Sequence, residues 1–194
     1  MKKYYILFLF TLIFISLFGL SYANQEPPRL IKGIEVLTGY GWSSLKKQED
    51  LCLYPLILGL NFDFKNILKK IGLNPWMFVD FQLEPYIAGV SSPEKNVEVG
   101  NAFCFKIGIL PEEYSFQPYF KVACGMLYMT QHTYEQGSQF NFYEYGAGGL
   151  SWFFNKNTAL TVEYRFRHLS NLGIKKPNSG INTSFVVAGI SCRF

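Results

Sequence analysis

Hydrophobic and polar residues alternate with a period of two along most of the chain after residue 31. In the first such segment, Ile34, Val36 and Tyr40 share one face, whereas Glu35 lies on the other. Segments of about ten alternating residues, separated by turn residues, are typical of transmembrane β-strands. The pattern predicts eight strands: Lys32–Trp42, Leu51–Phe62, Trp76–Gly89, Val97–Leu110, Gln117–Thr130, Phe140–Phe153, Thr158–Ser170 and Thr183–Phe194.

The polar positions indicate which face of these strands points inward. In the fourth segment Glu98 shares a face with Gly100 and Ala102. A face that combines charged and small side chains suits the narrow interior of a small barrel. This predicts an all-β fold, an eight-stranded antiparallel transmembrane β-barrel of the outer membrane whose narrow lumen is filled by side chains. A soluble lipocalin-like barrel would reverse the polarity of the two faces. The terminal Phe194 resembles the assembly signal of bacterial outer-membrane proteins.

An even strand number predicts the side of the membrane on which each connection lies. With the N-terminus in the periplasm, we expect outer loops at 43–50, 90–96, 131–139 and 171–182. The inner connections are then 63–75, 111–116 and 154–157, and a short helical turn is expected in the first of them.

The N-terminus has the order of regions that an export signal shows. Lys2 and Lys3 precede an apolar stretch over residues 4–20, and Ser21 and Ala23 follow as small residues at a cleavage site. We therefore expect residues 1–23 to be a signal peptide cleaved after Ala23, and residues 24–194 to form a single barrel domain. An uncleaved anchor helix is the alternative, because an apolar stretch of this length is close to the minimum that spans a bilayer.

Composition supports the barrel and excludes several other classes. Hydrophobic residues make up 49% and charged residues 16%, which excludes a disordered chain and a coiled coil. The aromatic share of 18% suits the aromatic girdles of a membrane barrel. Without residues 1–23 the chain carries 16 basic and 14 acidic residues, a net charge of +2 that indicates no nucleic-acid binding.

The seventh segment carries two polar residues on the face that is otherwise lipid-facing. His168 and Ser170 continue the row of Leu160, Val162 and Phe166. One interpretation is that the strand has already left the membrane at this height. The other is chemical, because alternate residues of a strand share a face and an imidazole close to a serine can take the hydroxyl proton.

The residues around this pair carry a specific resemblance. The stretch from Glu163 to Asn182, EYRFRHLSNLGIKKPNSGIN, resembles the signature of the outer-membrane lipid A 3-O-deacylases of PagL type. The resemblance implies a serine-type carboxylic-ester hydrolase that removes an ester-linked 3-hydroxyacyl chain from lipid A at the outer surface of the barrel. It further implies that Ser170 is the nucleophile and His168 its general base, with Asn171 and the backbone around Gly173 stabilising the oxyanion.

One position departs from that family's pattern. Where the best-known members of that family place a glutamate to orient the histidine, this chain has Asn182, which accepts a hydrogen bond but carries no charge. Cysteine proteases use an asparagine in this third role, so we expect activity with Asn182 as the third residue. Glu163 and Glu144 are interpreted as poor substitutes for the missing acid. Glu163 faces the lumen according to the alternation of its strand, and the height of Glu144 on the neighbouring strand is unknown.

The expected partners are lipid A or lipopolysaccharide in the outer leaflet and the outer membrane itself, with no nucleic acid; a homodimer is left open. No cofactor and no metal site are implied. The alternatives are a non-enzymatic structural or adhesive barrel, and an esterase that acts on phospholipid through the same serine and histidine.

The remaining candidate features are interpreted as structural. His132 lies in an outer loop and is expected to be solvated. Cys104 is predicted to face the lumen and Cys124 the lipid, so we expect free thiols at these and at Cys52 and Cys192. The glycine-rich run 146–149 lies inside a strand and predicts close packing in a narrow barrel.

Overall fold

The computed structural model describes residues 31–46 and 48–194. The predicted signal peptide, residues 1–23, and the first residues of the predicted domain lie outside this part. The elements are β1 (Gly33–Ser43), β2 (Leu51–Asp63), α1 (Lys65–Lys70), β3 (Met77–Ser92), β4 (Asn96–Pro111), β5 (Phe116–Met129), β6 (Phe140–Phe153), β7 (Thr158–Ser170) and β8 (Ile181–Arg193). No helix in the described ranges is long and apolar enough to cross a bilayer.

The eight strands form one closed antiparallel barrel in which each strand pairs with its neighbours in sequence and β8 pairs with β1. This confirms the predicted fold class. Most strand ends agree with the predicted ends to within one or two residues. The largest difference is in β3, which continues to Ser92 because Gly89 and Val90 pair with Val97 and Asn96 in a tight hairpin.

The start of β8 matters most for the site. The sequence pattern predicts an outer loop over 171–182, but β8 begins at Ile181 and leaves a loop of residues 171–180. Asn182 therefore lies inside a strand, at a fixed position relative to β7.

The two faces of the sheet have the predicted polarity. Val36, Tyr40, Val162 and Phe166 are exposed on the outer surface, where lipid tails would cover them. Glu35 is buried in the lumen. The inner connection 63–75 contains the expected short helix α1, next to which Phe64 packs edge-on against Phe105.

A network of ion pairs fills the lumen. Its members are Glu35, Glu84, Glu98, Glu163, Lys106, Lys121, Arg165 and Arg167, all of which are buried. The Arg165 guanidinium donates to both carboxylate oxygens of Glu84, at 2.7 and 3.0 Å. Arg167 donates to Glu98 at 2.9 Å. The filled and charge-balanced interior agrees with the predicted narrow lumen and leaves no room for a wide pore.

Lys121 is the centre of this network, and its replacement by methionine is expected to destabilise the barrel. Its ammonium contacts Glu84 at 2.9 Å, Glu163 at 3.0 Å and Glu35 at 3.3 Å. Removing one partner of a buried ion pair leaves uncompensated charge, which costs about 3–5 kcal/mol. Urea unfolding in lipid vesicles should show this loss for Lys121→Met, whereas Lys156→Met, in an exposed inner turn, should unfold like the unmodified protein. Equal midpoints for the two variants would contradict a structural role of the network.

The four cysteines are free, as predicted. Cys104 is buried in the lumen and its sulfur lies 3.0 Å from the Tyr145 hydroxyl, whereas Cys124 is exposed on the outer surface. The glycine-rich run is only partly as predicted. A Cβ at Gly149 would lie 2.4 Å from the Tyr119 ring, which is close packing, but Gly146 and Gly148 face outward with open space above them.

Candidate active site

The register of β7 and β8 brings the predicted site residues together on the outer surface. His168 pairs directly with Asn182 across the two strands, and Ser170 is the last residue of β7. His168 and Ser170 are half-buried and Asn182 is exposed. The three residues therefore lie near one another at the outer end of the barrel, beside the loop of residues 171–180, which we call outer loop 4.

A short hydrogen bond fixes the orientation of the imidazole. The Nδ1 atom of His168 lies 2.6 Å from Oδ1 of Asn182. An amide oxygen only accepts hydrogen bonds, so Nδ1 must donate its N–H and the proton of the neutral ring must be on Nδ1. The other ring nitrogen, Nε2, is then unprotonated and can act as a base. This is the tautomer that a histidine needs to activate a serine.

Ser170 lies two residues further along the same face of β7. Alternate residues of a strand point to the same side, so its hydroxyl is on the side of the sheet that carries the imidazole. Within the described part of the chain no hydrogen bond joins Ser170 to His168. Such catalytic hydrogen bonds are often long before substrate binds. Ser170 pairs with Phe142 on the neighbouring strand β6, so its neighbour on that side is apolar.

Asn171 and Gly173 have structural contacts in outer loop 4. The Asn171 side chain is fully buried, and its amide donates to the carbonyl oxygens of Lys175 at 2.7 Å and Pro177 at 3.2 Å. Its Oδ1 accepts the backbone N–H of Gly173 at 3.0 Å. In this arrangement both residues use their donors to shape the loop behind the serine. Their role toward an oxyanion stays a prediction.

A second loop supports outer loop 4. Residues 130–139, which we call outer loop 3, form a bridge between Gln136 and Asn178 and donate the Gly137 N–H to the Pro177 oxygen at 2.7 Å. Asn178 in turn accepts the backbone N–H of Asn171 at 2.8 Å. The residue that follows Ser170 is thus held by contacts that begin in outer loop 3. His132, in the same loop, is exposed as expected.

Gly180 leaves space for the imidazole. Its φ angle of +75° lies in the left-handed region, and a Cβ built there would lie 2.6 Å from Cε1 of His168. A side chain at position 180 would therefore displace the ring. The sequence pattern did not single out this residue.

Glu144 is a further residue that the sequence interpretation set aside. It is exposed on the outer surface of β6 and pairs directly with His168 across β6 and β7. Its height, which could not be stated from the sequence, is the height of the imidazole. Glu163, by contrast, is buried in the lumen as parity predicted.

A shallow trough runs along the outer surface below these residues. Gly146 and Gly148 form its floor, and neither has an atom within 4 Å of the place where a Cβ would stand. Phe166 and Tyr164 pair with these glycines on β7, and Val122 and Phe120 pair with them on β5. All four of these side chains are exposed, so they border an apolar trough over β6, between β5 and β7, whose backbones lie about 10 Å apart, twice the spacing of adjacent strands.

Comparisons with known proteins identify the family and the fold. The family model of PagL, the lipid A 3-O-deacylase, matches residues 58–191, which is more than half of the chain. The crystal structure of the outer membrane enzyme PagL is 18% identical, with a TM-score of 0.62, and covers 84% of this chain and 99% of its own. Neisserial surface protein A is 11% identical with a TM-score of 0.60, and the match covers 84% of this chain and 96% of that protein.

These two structures share the fold at low identity, and among curated sequences no protein matches. The family match is therefore the finding that identifies the chain. The matched range includes β7, outer loop 4 and the start of β8, where His168, Ser170 and Asn182 lie. The chain belongs to the PagL family of lipid A 3-O-deacylases and is a β-barrel of the outer membrane.

Proposed function

We propose that this protein hydrolyses an ester-linked 3-hydroxyacyl chain of lipid A with a serine-type site on the outer surface of its barrel. The observation that carries the proposal is the 2.6 Å contact between His168 Nδ1 and Asn182 Oδ1, on the same face as Ser170. With the proton on Nδ1, Nε2 is free to act as a base toward the Ser170 hydroxyl, which lies on the same face of β7 at its outer end.

The chemistry follows from these positions. Nε2 of His168 takes the proton of Ser170 as Oγ attacks the ester carbonyl carbon, and the protonated imidazole then gives that proton to the departing sugar hydroxyl. This leaves the acyl group on Ser170. Water, deprotonated by Nε2, then attacks the acyl carbonyl carbon, the bond to Ser170 Oγ breaks as the imidazolium returns the proton to Oγ, and a free 3-hydroxy fatty acid is released. Asn182 keeps the ring in the required tautomer throughout.

The trough supports an acyl substrate in particular. A hydrocarbon chain that lies over Gly146 and Gly148 contacts Phe166 and Tyr164 on one side and places its ester end toward Ser170. Lipid A reaches such a trough from the membrane. Export through a signal peptide cleaved after Ala23 is part of the proposal, and a homodimer stays a prediction.

A side chain that fills the trough is expected to lower kcat/KM for an acyl substrate. A leucine at position 146 projects into the space of the acyl chain and removes two or three methylene contacts, worth about 0.8 kcal/mol each. Gly146→Leu should therefore lower kcat/KM about 15- to 60-fold for a long-chain ester. Gly89→Leu is the matched control, because Gly89 is also an outward-facing strand glycine with open space above it. Equal kinetics for the two variants would place the acyl chain elsewhere.

The experiment that tests the proposed function uses purified protein in mixed micelles of detergent and lipopolysaccharide. We expect release of a free 3-hydroxy fatty acid, together with a lipid A that is lighter by that acyl group. Release of fatty acid from phospholipid alone would favour the phospholipid esterase. A folded barrel that releases no fatty acid from either lipid would favour a structural or adhesive barrel.

A further inference from the structure

Three outward-facing residues form a row across the strands at the height of the imidazole. Glu144 on β6 pairs with His168 on β7, and His168 pairs with Asn182 on β8. Directly opposed residues of antiparallel strands have Cβ atoms about 4.5–5.5 Å apart. The imidazole is therefore flanked on one side by a carboxylate and on the other by an amide.

The Glu144 carboxylate has no structural role that would account for its place. Within residues 31–46 and 48–194, it makes no hydrogen bond and no ion pair. It stands on the surface that faces the membrane, with Phe142 before it and Gly146 after it on the outer face of β6. Ionisable groups on that surface are costly, and one without a partner calls for a function.

We propose that Glu144 supplies, from the neighbouring strand, the negative charge that Asn182 lacks. The two tasks that one acidic residue performs in a triad are divided here: Asn182 orients the imidazole through Nδ1, and Glu144 stabilises the imidazolium that forms when His168 takes the serine proton. Glu144 is thus a positioning residue that acts through His168. This inference rests on the proposed function, because it concerns the same histidine in the same reaction.

The surroundings of the imidazole favour this effect. Arg165 and Arg167, the nearest cations on β7, point into the lumen and are paired there with Glu84 and Glu98. On β8 the partner is the uncharged Asn182, and beyond Glu144 on β5 the opposed residue is Cys124. The charged side chains of outer loop 4 are Lys175 and Lys176, both exposed. Among these groups Glu144 is the anion, and a membrane-facing site screens its field less than water does.

The test is a double-mutant cycle on purified protein with lipopolysaccharide micelles. Glu144→Gln should lower kcat about 10- to 100-fold with little change in KM, because the charge acts only once the imidazolium forms. Glu113→Gln, the same change at an exposed residue of an inner turn, is the matched control and should not alter kcat. Glu144→Asp should recover part of the activity.

The Asn182→Glu background distinguishes an electrostatic role of Glu144 from a merely structural one. With an acid restored at position 182, the Glu144→Gln change should cost less than threefold, so the two effects are not additive. Equal losses in both backgrounds, or full activity of Glu144→Gln in the otherwise unmodified protein, would overturn the inference while leaving the proposed function intact. An unmodified protein without deacylase activity would instead overturn the proposed function.

Discussion

Ser170→Ala is expected to lower kcat/KM for lipid A by about 10³-fold or more, because it removes the proposed nucleophile. Replacement of a serine nucleophile leaves only the contribution of binding and of oxyanion stabilisation. The Ser170 side chain makes no hydrogen bond within the described residues, so the barrel should fold and bind lipid A as before. The loss should therefore be in kcat, as measured by release of 3-hydroxy fatty acid from lipopolysaccharide micelles.

Ser91→Ala is the matched control for this experiment. Ser91 is an exposed serine near the outer end of β3, and its hydroxyl makes a single 3.4 Å contact with the Cys52 carbonyl oxygen. It should retain the activity of the unmodified protein. A Ser170→Ala protein that still releases the fatty acid at an unchanged rate would show that another group is the nucleophile.

The second large effect is expected for His168→Ala, which removes the proposed base. Without Nε2 the serine hydroxyl keeps its proton at neutral pH, and kcat should fall about 10³-fold. The other histidine of the chain provides the control, since His132→Ala changes an exposed side chain in outer loop 3 and should have no effect.

Exogenous imidazole distinguishes lost chemistry from lost structure in this variant. The site lies at the surface and the ring packs against Gly180, which has no side chain, so removal of the ring leaves a gap that free imidazole can enter. Partial recovery of kcat with added imidazole is the expected result. Undiminished activity of His168→Ala without imidazole would contradict the assignment of the base.

The barrel could be predicted from the sequence because its strands obey a strict local rule. A lipid-facing and a lumen-facing residue must alternate, so Val162 and Glu163 report their faces directly. Ends are less certain, because polar residues are tolerated once a strand leaves the membrane. Asn182 shows this: the pattern assigns it to a loop, whereas pairing with His168 keeps it in β8.

The site was predictable only where it follows the same rule. Parity places His168 and Ser170 on one outer face, and the resemblance gives them roles. Glu144 lies opposite His168 because of the register between β6 and β7. A shift of that register by one residue would turn the Glu144 side chain to the other face of the sheet. The bridge between Gln136 and Asn178 joins two loops without periodicity, so no local pattern indicates it.

We interpret Asn182, at the position where the resemblance implies a glutamate, as a change in how the histidine is supported. In a serine protease, replacing the acid with an amide costs about 10⁴ in kcat because the histidine adopts the wrong tautomer. Here the amide oxygen of Asn182 faces Nδ1, so the required tautomer is retained. What Asn182 does not supply is the negative charge that stabilises the imidazolium, and we propose that Glu144 supplies it.

Mass spectrometry of lipid A from cells that express the protein tests the central claim most directly. Cells with the unmodified protein should contain lipid A that has lost the mass of one 3-hydroxyacyl group, and cells with an equal amount of Ser170→Ala in the outer membrane should retain it. Identical lipid A spectra from the two strains, with both barrels present and folded, would contradict the assignment of a serine-type lipid A deacylase.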